Sequence, residues 1–358
     1  MAIKPTGYAR SETYKEILSQ GDVWQSVLHE LKRSTSVEQI LRSNNRKTSW
    51  LFVGCGTSFH LADAAATSWT SLTGEPARAV PGSEILLYPA LTRSNSTDLR
   101  AIVISRSGRT SEAVRAAHVL RKKMQIPTIG ITCAEKSELE GECDSTLVLK
   151  TADEKSTVMT RSFTSMLISL QWTAARRAGN AEFCNSLQEM AIQFAARIGS
   201  LAEYMEAFVE SRSFEDYVFL GQGPFHGIAR EAALKVMEMS CSYSQSFHTL
   251  EFRHGPKAIV SPRTALTFFL SQSGLPSEIE VLEEMKELGG ITISVCNVAN
   301  ESIRRTSDLV LELNLPGDEL THLASHIVPS QLMGFFTGVG KGLNPDQPKN
   351  LTRVVVLD

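Results

Sequence analysis

Four short stretches of this sequence combine residue types that can do chemistry. Ser105-Arg106-Ser107-Gly108-Arg109-Thr110 crowds three hydroxyls, a glycine and two guanidinium groups between an apolar run and the helical stretch SEAVRAAHVLRK. A helix start offers unpaired backbone N–H groups and a partial positive charge, so such a turn suits an anion like phosphate. The serine and threonine hydroxyls and Arg106 or Arg109 would add donors. The plainer reading is a helix start capped by Thr110 or Ser111. A second turn, Gly54-Cys55-Gly56-Thr57-Ser58, could open a dinucleotide fingerprint, with Glu75 about twenty residues on. Phe59 stands where that fingerprint needs its last glycine, so no nicotinamide cofactor is expected. A tight turn presenting Thr57 and Ser58 to a polyhydroxylated ligand fits better. In Gly227–Ser240 (GIAREAALKVMEMS), Lys235 and Glu238 are three apart and share a helix face. A carboxylate partly withdrawn from water there could move protons, although a solvated ion pair is the simpler reading from sequence alone. His254, in the Gly-Pro turn EFRHGPK, is an acid–base candidate. His322 and His326 lie four apart with nothing placed to complete a zinc site, so they are expected to be packing residues and no metal is expected.

These stretches sit in a duplicated framework. LFVGCGTSFHLADAAA (51–66) and VFLGQGPFHGIAREAA (218–233) share six of sixteen positions at an offset of 167. ISRSGRTSE (104–112) matches LSQSGLPSE (270–278) at an offset of 166, and STLVLK (145–150) echoes SDLVLE (307–312) at 162. Three matches in order at a nearly constant offset mark an internal duplication. In each copy apolar strands alternate with helical stretches, which predicts βαβ units and parallel sheets covered on both faces. Ligands bind such sheets beyond the C-terminal ends of the strands, where the two kinds of turn fall. The expected organisation is a helical segment over 1–48, a first α/β domain over 49–195 carrying the phosphate turn, and a second over 196–358 carrying the catalytic helix and a tail. A long helical pattern over 162–212 links them. The second copy of the hydroxyl turn, Ser271-Gln272-Ser273-Gly274-Leu275-Pro276, lacks the threonine and the arginines, so phosphate is expected in the first half only.

Composition excludes several classes. The 358 residues carry a net charge of -3, with 42% hydrophobic and 21% charged residues. That balance is ordinary for a globular protein and gives no footprint for nucleic acid. No apolar run has the length of a membrane span, and the N-terminus lacks the apolar core of a signal peptide, so a cytoplasmic protein is expected. The six cysteines (55, 133, 143, 184, 241 and 296) form no C-x-x-C pair and read as small buried hydrophobes in a reducing compartment.

Taken together, CGTS, S-x-SG-x-T, the F-T-S segment after Arg161, E-x-AL-K-x-x-E, R-HGP and the tail NPDQPKNL resemble the SIS (sugar isomerase) family over nearly the whole chain. REAALKVMEMS, FRHGPK and YKEILSQGDVW are similar to the group of tagatose-6-phosphate ketose/aldose isomerases and amino-sugar-6-phosphate deaminases. NPDQPKNL is similar to the isomerase half of glucosamine-6-phosphate synthase. The resemblance implies two tandem doubly wound, flavodoxin-like domains acting on a hexose or hexosamine 6-phosphate without a cofactor. It places Thr57, Ser58, Ser105, Ser107 and Thr110 on the sugar phosphate, with Arg106, in place of a glutamine, as a charged phosphate contact. It implies that Glu238 shuttles a proton between C1 and C2, that Lys235 lies near the sugar oxygens, and that Thr157 and Thr352 line the sugar. His254 would open the ring from a partner subunit, which implies a homodimer with shared active sites. Arg353 stands where the synthase has an imine-forming lysine, and arginine cannot form that imine. About fifty residues precede the first expected strand, too few for the synthase's glutaminase domain, so glutamine-fed amination is not expected. The rival readings are a plain aldose–ketose isomerase, a fructosamine-6-phosphate deglycase, and a sugar-phosphate-binding regulator without catalysis.

Overall fold

A computed structural model describes residue 8 and residues 10–41, 48–92 and 98–357. Its strands fall into two five-stranded sheets. The first holds β1 (Thr48–Gly54), β2 (Ala77–Pro81), β3 (Asp98–Ile104), β4 (Thr128–Thr132) and β5 (Ser145–Val148); the second holds β6 (Asp216–Gly221), β7 (Tyr243–Phe247), β8 (Thr264–Phe269), β9 (Ile291–Cys296) and β10 (Leu309–Glu312). The strand orders are β2-β1-β3-β4-β5 and β10-β9-β8-β6-β7, and every pairing is parallel. Counted from the start of each half, both orders read 2-1-3-4-5, the flavodoxin-like arrangement. The duplication expected from the sequence is therefore a duplication of topology.

Side-chain alternation explains how two such sheets make one body. From β1, Trp50 and Phe52 enter a core that runs through both halves, whereas Leu51 and Val53 enter a separate core on the outer face. In β6, Tyr217 and Phe219 join the common core while Val218 and Leu220 join an outer one. Among the helices lining the common core are Thr57–Thr73, Arg161–Ala178, Phe225–Ser240 and Val328–Gly340. The linking pattern over 162–212 is two helices, Arg161–Ala178 and Ala181–Glu210, broken at Gly179 with φ +72°. The domain division expected at residues 195 and 196 falls inside the second of these. Its 30 residues run unbroken, because its buried positions, from Phe183 to Phe208, recur at helical spacing through that point.

Glu75, weighed above as a ribose-binding carboxylate, is a buried anchor. It accepts hydrogen bonds from Trp50 Nε1 at 2.7 Å and from the Arg177 guanidinium at 2.6 Å. Short helices over Glu12–Leu18, Gln20–Leu31 and Thr35–Leu41 pack against this body. The tail is tied back to the first of them, since Asp346 accepts from Ser11 Oγ at 2.6 Å and from Thr13 N at 2.8 Å.

Candidate active site

The site begins with the two Gly-x-Gly turns. A Cβ on Gly54 would lie 2.3 Å from Ser58 O, and one on Gly221 would lie 2.4 Å from Phe225 O. The second glycine of each turn has positive φ, +56° at Gly56 and +53° at Gly223. Each strand thus turns within two or three residues into its helix, Thr57–Thr73 or Phe225–Ser240. The two helices pack on each other in opposite directions. A Cβ on Gly227 would sit 2.6 Å from Ala64 N, so glycine sets their close approach. Asp63 and Arg230, which hold the same place in the two copies, pair at 3.1 Å. Along the seam, His60 Nδ1 lies 3.1 Å from Glu231, and Lys235 Nζ donates to Thr57 Oγ1 at 3.1 Å.

That last contact brings the first Gly-x-Gly turn to the far end of the second helix. Glu231, Lys235 and Glu238 share one helix face at spacings of four and three. Lys235 is fully buried; its ammonium lies 3.3 Å from Glu231 and hydrogen-bonds Glu238. Burial opposes the charge on Lys235, but Glu231 and Glu238 outweigh it and raise its pKa, so it stays an ammonium. Glu238 keeps 18% of its side chain exposed. Burial raises its pKa, Glu231 adds to this, and Lys235 and Arg106 offset only part of it. A partly exposed carboxyl held by an ammonium and poised above its ordinary value is suited to take up and return a proton.

The hydroxyl turn supplies the other side. Thr110 occupies the N-cap of Ser111–His118 without a side-chain capping bond. Its hydroxyl instead accepts from Ser105 Oγ at 3.4 Å. Among the described residues the N–H groups of Arg106 and Ser107 have no acceptor. Unpaired backbone donors beside hydroxyls at a helix start can seat an anion. The Arg106 guanidinium is buried and committed to the protein. It donates to Val158 O at 3.2 Å, Thr157 O at 3.0 Å and Arg353 O at 3.0 Å, and lies 3.5 Å from buried Glu154. Through Arg353 it holds the C-terminal tail over the turn. The same tail accepts from Ser111 N through Val355 O at 3.2 Å, and Leu357 N donates to Ser111 Oγ at 2.9 Å.

Comparison with known proteins agrees with this architecture. The sequence profile of the SIS domain matches residues 44–176 and 215–333. The chain belongs to the SIS domain family. The SIS chain is 26% identical over 338 residues to glutamine--fructose-6-phosphate aminotransferase [isomerizing] of Methanothermobacter thermautotrophicus, covering 94% of itself and 54% of that relative. It thus spans about half the length of the curated relatives it matches. Glucosamine-6-phosphate deaminase of Thermotoga maritima superposes with a TM-score of 0.78 at 28% identity, over 97% of this chain and all (100%) of the other. Tagatose-6-phosphate ketose/aldose isomerase of Escherichia coli superposes at 0.84 and 22% identity, over 99% and 98%, a likeness of fold. By name these relatives are an aminotransferase, a deaminase and an isomerase of sugar phosphates.

Several residues singled out in the sequence meet in space and others do not. Thr57, Lys235 and Glu238 form one cluster. Arg106, Thr157 and Arg353 form a second, joined to the first by the pull of Arg106 on Glu238. The reading of Lys235 and Glu238 as a solvated pair fails, because the Thr57 helix covers the ammonium. Arg353 turns its guanidinium to Asp153 at 2.7 Å, and the Thr352 hydroxyl donates to Val354 O at 3.0 Å on the exposed tail. Ser58 is buried in the first helical turn. A 410 Å³ cavity beside Glu238 is lined by Met237, Cys241, Tyr243, Lys349 and Leu351, and Ser107 is not among its walls. His254 is exposed on the β7–β8 connection, and among the described residues no hydrogen bond or ion pair joins it to Lys235 or Glu238. Sequence reasoning gave no role to Glu231, His60 or Glu154. Glu231 was visible as the first letter of E-x-AL-K-x-x-E, four residues before Lys235. Cys241 is exposed, at the left-handed C-cap of the catalytic helix, rather than a buried hydrophobe; the other cysteines are buried or half-buried. Among the described residues no group of His, Cys, Asp and Glu could hold a metal, and His326 packs its ring 4.9 Å from Phe225.

Proposed function

We propose that the chain moves a proton between C1 and C2 of a hexose or hexosamine 6-phosphate, as an aldose–ketose isomerase or an amino-sugar-phosphate deaminase. The observation that carries this is the Glu238 carboxyl bonded to the buried Lys235 ammonium, which in turn donates to Thr57 Oγ1 at 3.1 Å in the first Gly-x-Gly turn. In this reading the phosphate docks on Ser105, Ser107 and Thr110 and on the free N–H groups of Arg106 and Ser107. Thr57 and Ser58 face the sugar. Arg106 acts by tethering the tail and by its charge near Glu238.

His254 opens the ring by moving a proton at the ring oxygen or O1, supplied to the site by a second copy of the chain. Glu238, as carboxylate, removes the proton from C2 while the C1 carbonyl oxygen takes one from water, giving an enediol or, with a 2-amino group, an enolamine. The protonated Glu238 returns its proton at C1, and in the enediol the O2 hydroxyl gives its proton back to water as the ketone forms. An amino substrate then becomes a 2-imine, to which water adds as ammonia leaves, yielding the ketose 6-phosphate. The Lys235 ammonium stabilises oxygen-centred negative charge through the Thr57–Glu238 cluster as it develops.

The decisive experiment is Glu238→Gln, assayed with hexose and glucosamine 6-phosphates by ketose formation and ammonia release. Ligand binding should persist while kcat falls by about two to four orders of magnitude. Near-wild-type turnover would remove Glu238 from the reaction. Ketose without ammonia would select the plain isomerase, and binding without turnover in the wild type would select the regulator.

A further inference from the structure

The duplication places a second hydroxyl turn, Ser271-Gln272-Ser273-Gly274, at the C-terminal edge of the second sheet, where Arg106 and Ser107 correspond to Gln272 and Ser273. The two turns differ in one respect. In the first half the N–H groups of residues 106 and 107 have no acceptor. In the second half both equivalents are taken by one carboxylate: Glu319 accepts from Gln272 N at 2.7 Å, from Ser273 N at 3.0 Å and from Ser273 Oγ at 2.5 Å. Two adjacent backbone donors and a serine hydroxyl converging on two oxygens of one anion is the pattern a bound phosphate would draw. Glu319 follows the Gly317 turn, where φ is +96°, and this brings it back over the sheet edge.

We infer that Glu319 is a built-in anion that occupies the second seat and bars phosphate from it. The seat opens onto a cavity of about 330 Å³, walled in part by Phe225, Leu275, Asn297 and Glu319. Two histidines on the same wall, His322 and His326, are almost wholly buried, yet His322 Nδ1 and His326 Nε2 have no hydrogen-bond partner. An orphaned ring nitrogen on a cavity wall is costly unless something polar reaches it. The cavity thus retains a polar end fit for a hydroxyl-bearing molecule, while its anion seat is closed from within. Loss of Glu319 would turn the closed seat into a second site for a small phosphorylated compound. One phosphate per chain in the wild type is then a consequence of this carboxylate as well as of the missing arginines and threonine.

The inference rests on the reading that the Ser105–Thr110 turn seats phosphate, and stoichiometry separates the two. Inorganic phosphate is titrated by calorimetry into the full chain, into Glu319→Ala, and into Glu319→Ala combined with Ser273→Ala. The expected counts per chain are one, two and one. Glu319→Ser, whose shorter side chain withdraws from the seat, is measured alongside and should also gain a site; it stands in for the alanine variant if that variant does not fold. A folded Glu319 variant that binds no more phosphate than the wild type overturns the inference. A wild type that binds none, with a Glu319 variant that binds one, overturns the first-half seat and leaves this inference standing.

Discussion

Replacing Glu278 by glutamine should flatten the pH dependence of stability. Glu278 is the second-half counterpart of Glu112 and lies under the closed seat, 1% exposed. Its Oε2 accepts from Ser271 N at 2.8 Å and Ser271 Oγ at 3.1 Å, while Oε1 is buried without a partner. Burial is the main cause that lifts its pKa from 4.5 to about 7; the Ser271 bonds pull it down and neighbouring Glu319 pushes it up. The folded state therefore binds this proton more tightly than the unfolded chain. Its contribution to stability is complete below pH 4.5 and is lost as pH rises through about 7. A full shift of that size corresponds to about 3 kcal/mol at about 1.4 kcal/mol per unit, and about 2.5 kcal/mol of it falls between about pH 5 and pH 8. Urea unfolding of wild type and Glu278→Gln across that range provides the test. The continuous core shared by both halves leads us to expect a single transition. Other titrating groups are common to both proteins, so the difference between the two curves isolates Glu278. The wild type should lose about 2.5 kcal/mol relative to the variant on going from the acid to the alkaline end. Curves that stay parallel would refute the assignment of a buried, protonated carboxyl.

Two further variants test the candidate site. Lys235→Met leaves Glu231 and Glu238 without the buried ammonium between them. It should destabilise the protein by about 3–5 kcal/mol by urea unfolding and abolish turnover. Arg106→Gln removes the clamp on Thr157, Val158 and Arg353 and uncovers Glu154. Amide hydrogen exchange of residues 353–357 should accelerate, with stability falling by about 3 kcal/mol. Unchanged exchange would mean the tail is held by its other ties: Ser111, the Arg115 guanidinium on Leu357 O at 3.1 Å and the Arg353–Asp153 pair.

The fold was legible because duplication repeats local signals. The strands, the two Gly-x-Gly turns and the parallel topology all follow from short-range patterns that occur twice. The boundary at 195 was not, since a continuous amphipathic helix carries no mark where one half ends. Contacts across the seam were hidden for a different reason. Lys235 looks solvated on its own helix, and only the approach of the Thr57 helix, set by Gly227 against Ala64, removes it from water. Arg106 shows the converse error of locality. Its place in a hydroxyl-rich turn suggested a phosphate contact, yet its planar array of donors is spent on backbone carbonyls far from it in sequence, two adjacent ones and one in the tail. Glu319 lies in a loop with no motif of its own, and becomes meaningful only when the second turn is compared with the first.

The comparison of the two copies also explains why the chain needs both. At the duplication offset of 167, Lys235 corresponds to Ser68, Glu238 to Ser71 and Glu231 to Ala64. Ser68 and Ser71 turn their hydroxyls back to the carbonyls of Ala64 and Thr67, four residues earlier on their own helix. The first half therefore keeps a turn with unpaired N–H groups but has no acid–base residues at the matching places on its helix. The second half keeps the carboxylate and ammonium, but its seat is filled by Glu319. In the proposed reading the antiparallel packing of the two helices joins these parts into one site, because it sets Lys235 at the start of the first helix rather than beside its own turn. Had the helices packed in parallel, Lys235 would lie away from Thr57, and neither half would hold an anion seat and a proton carrier together. The chemistry proposed here is thus a property of the seam between the halves, and the close approach that Gly227 permits is as much a part of it as Glu238.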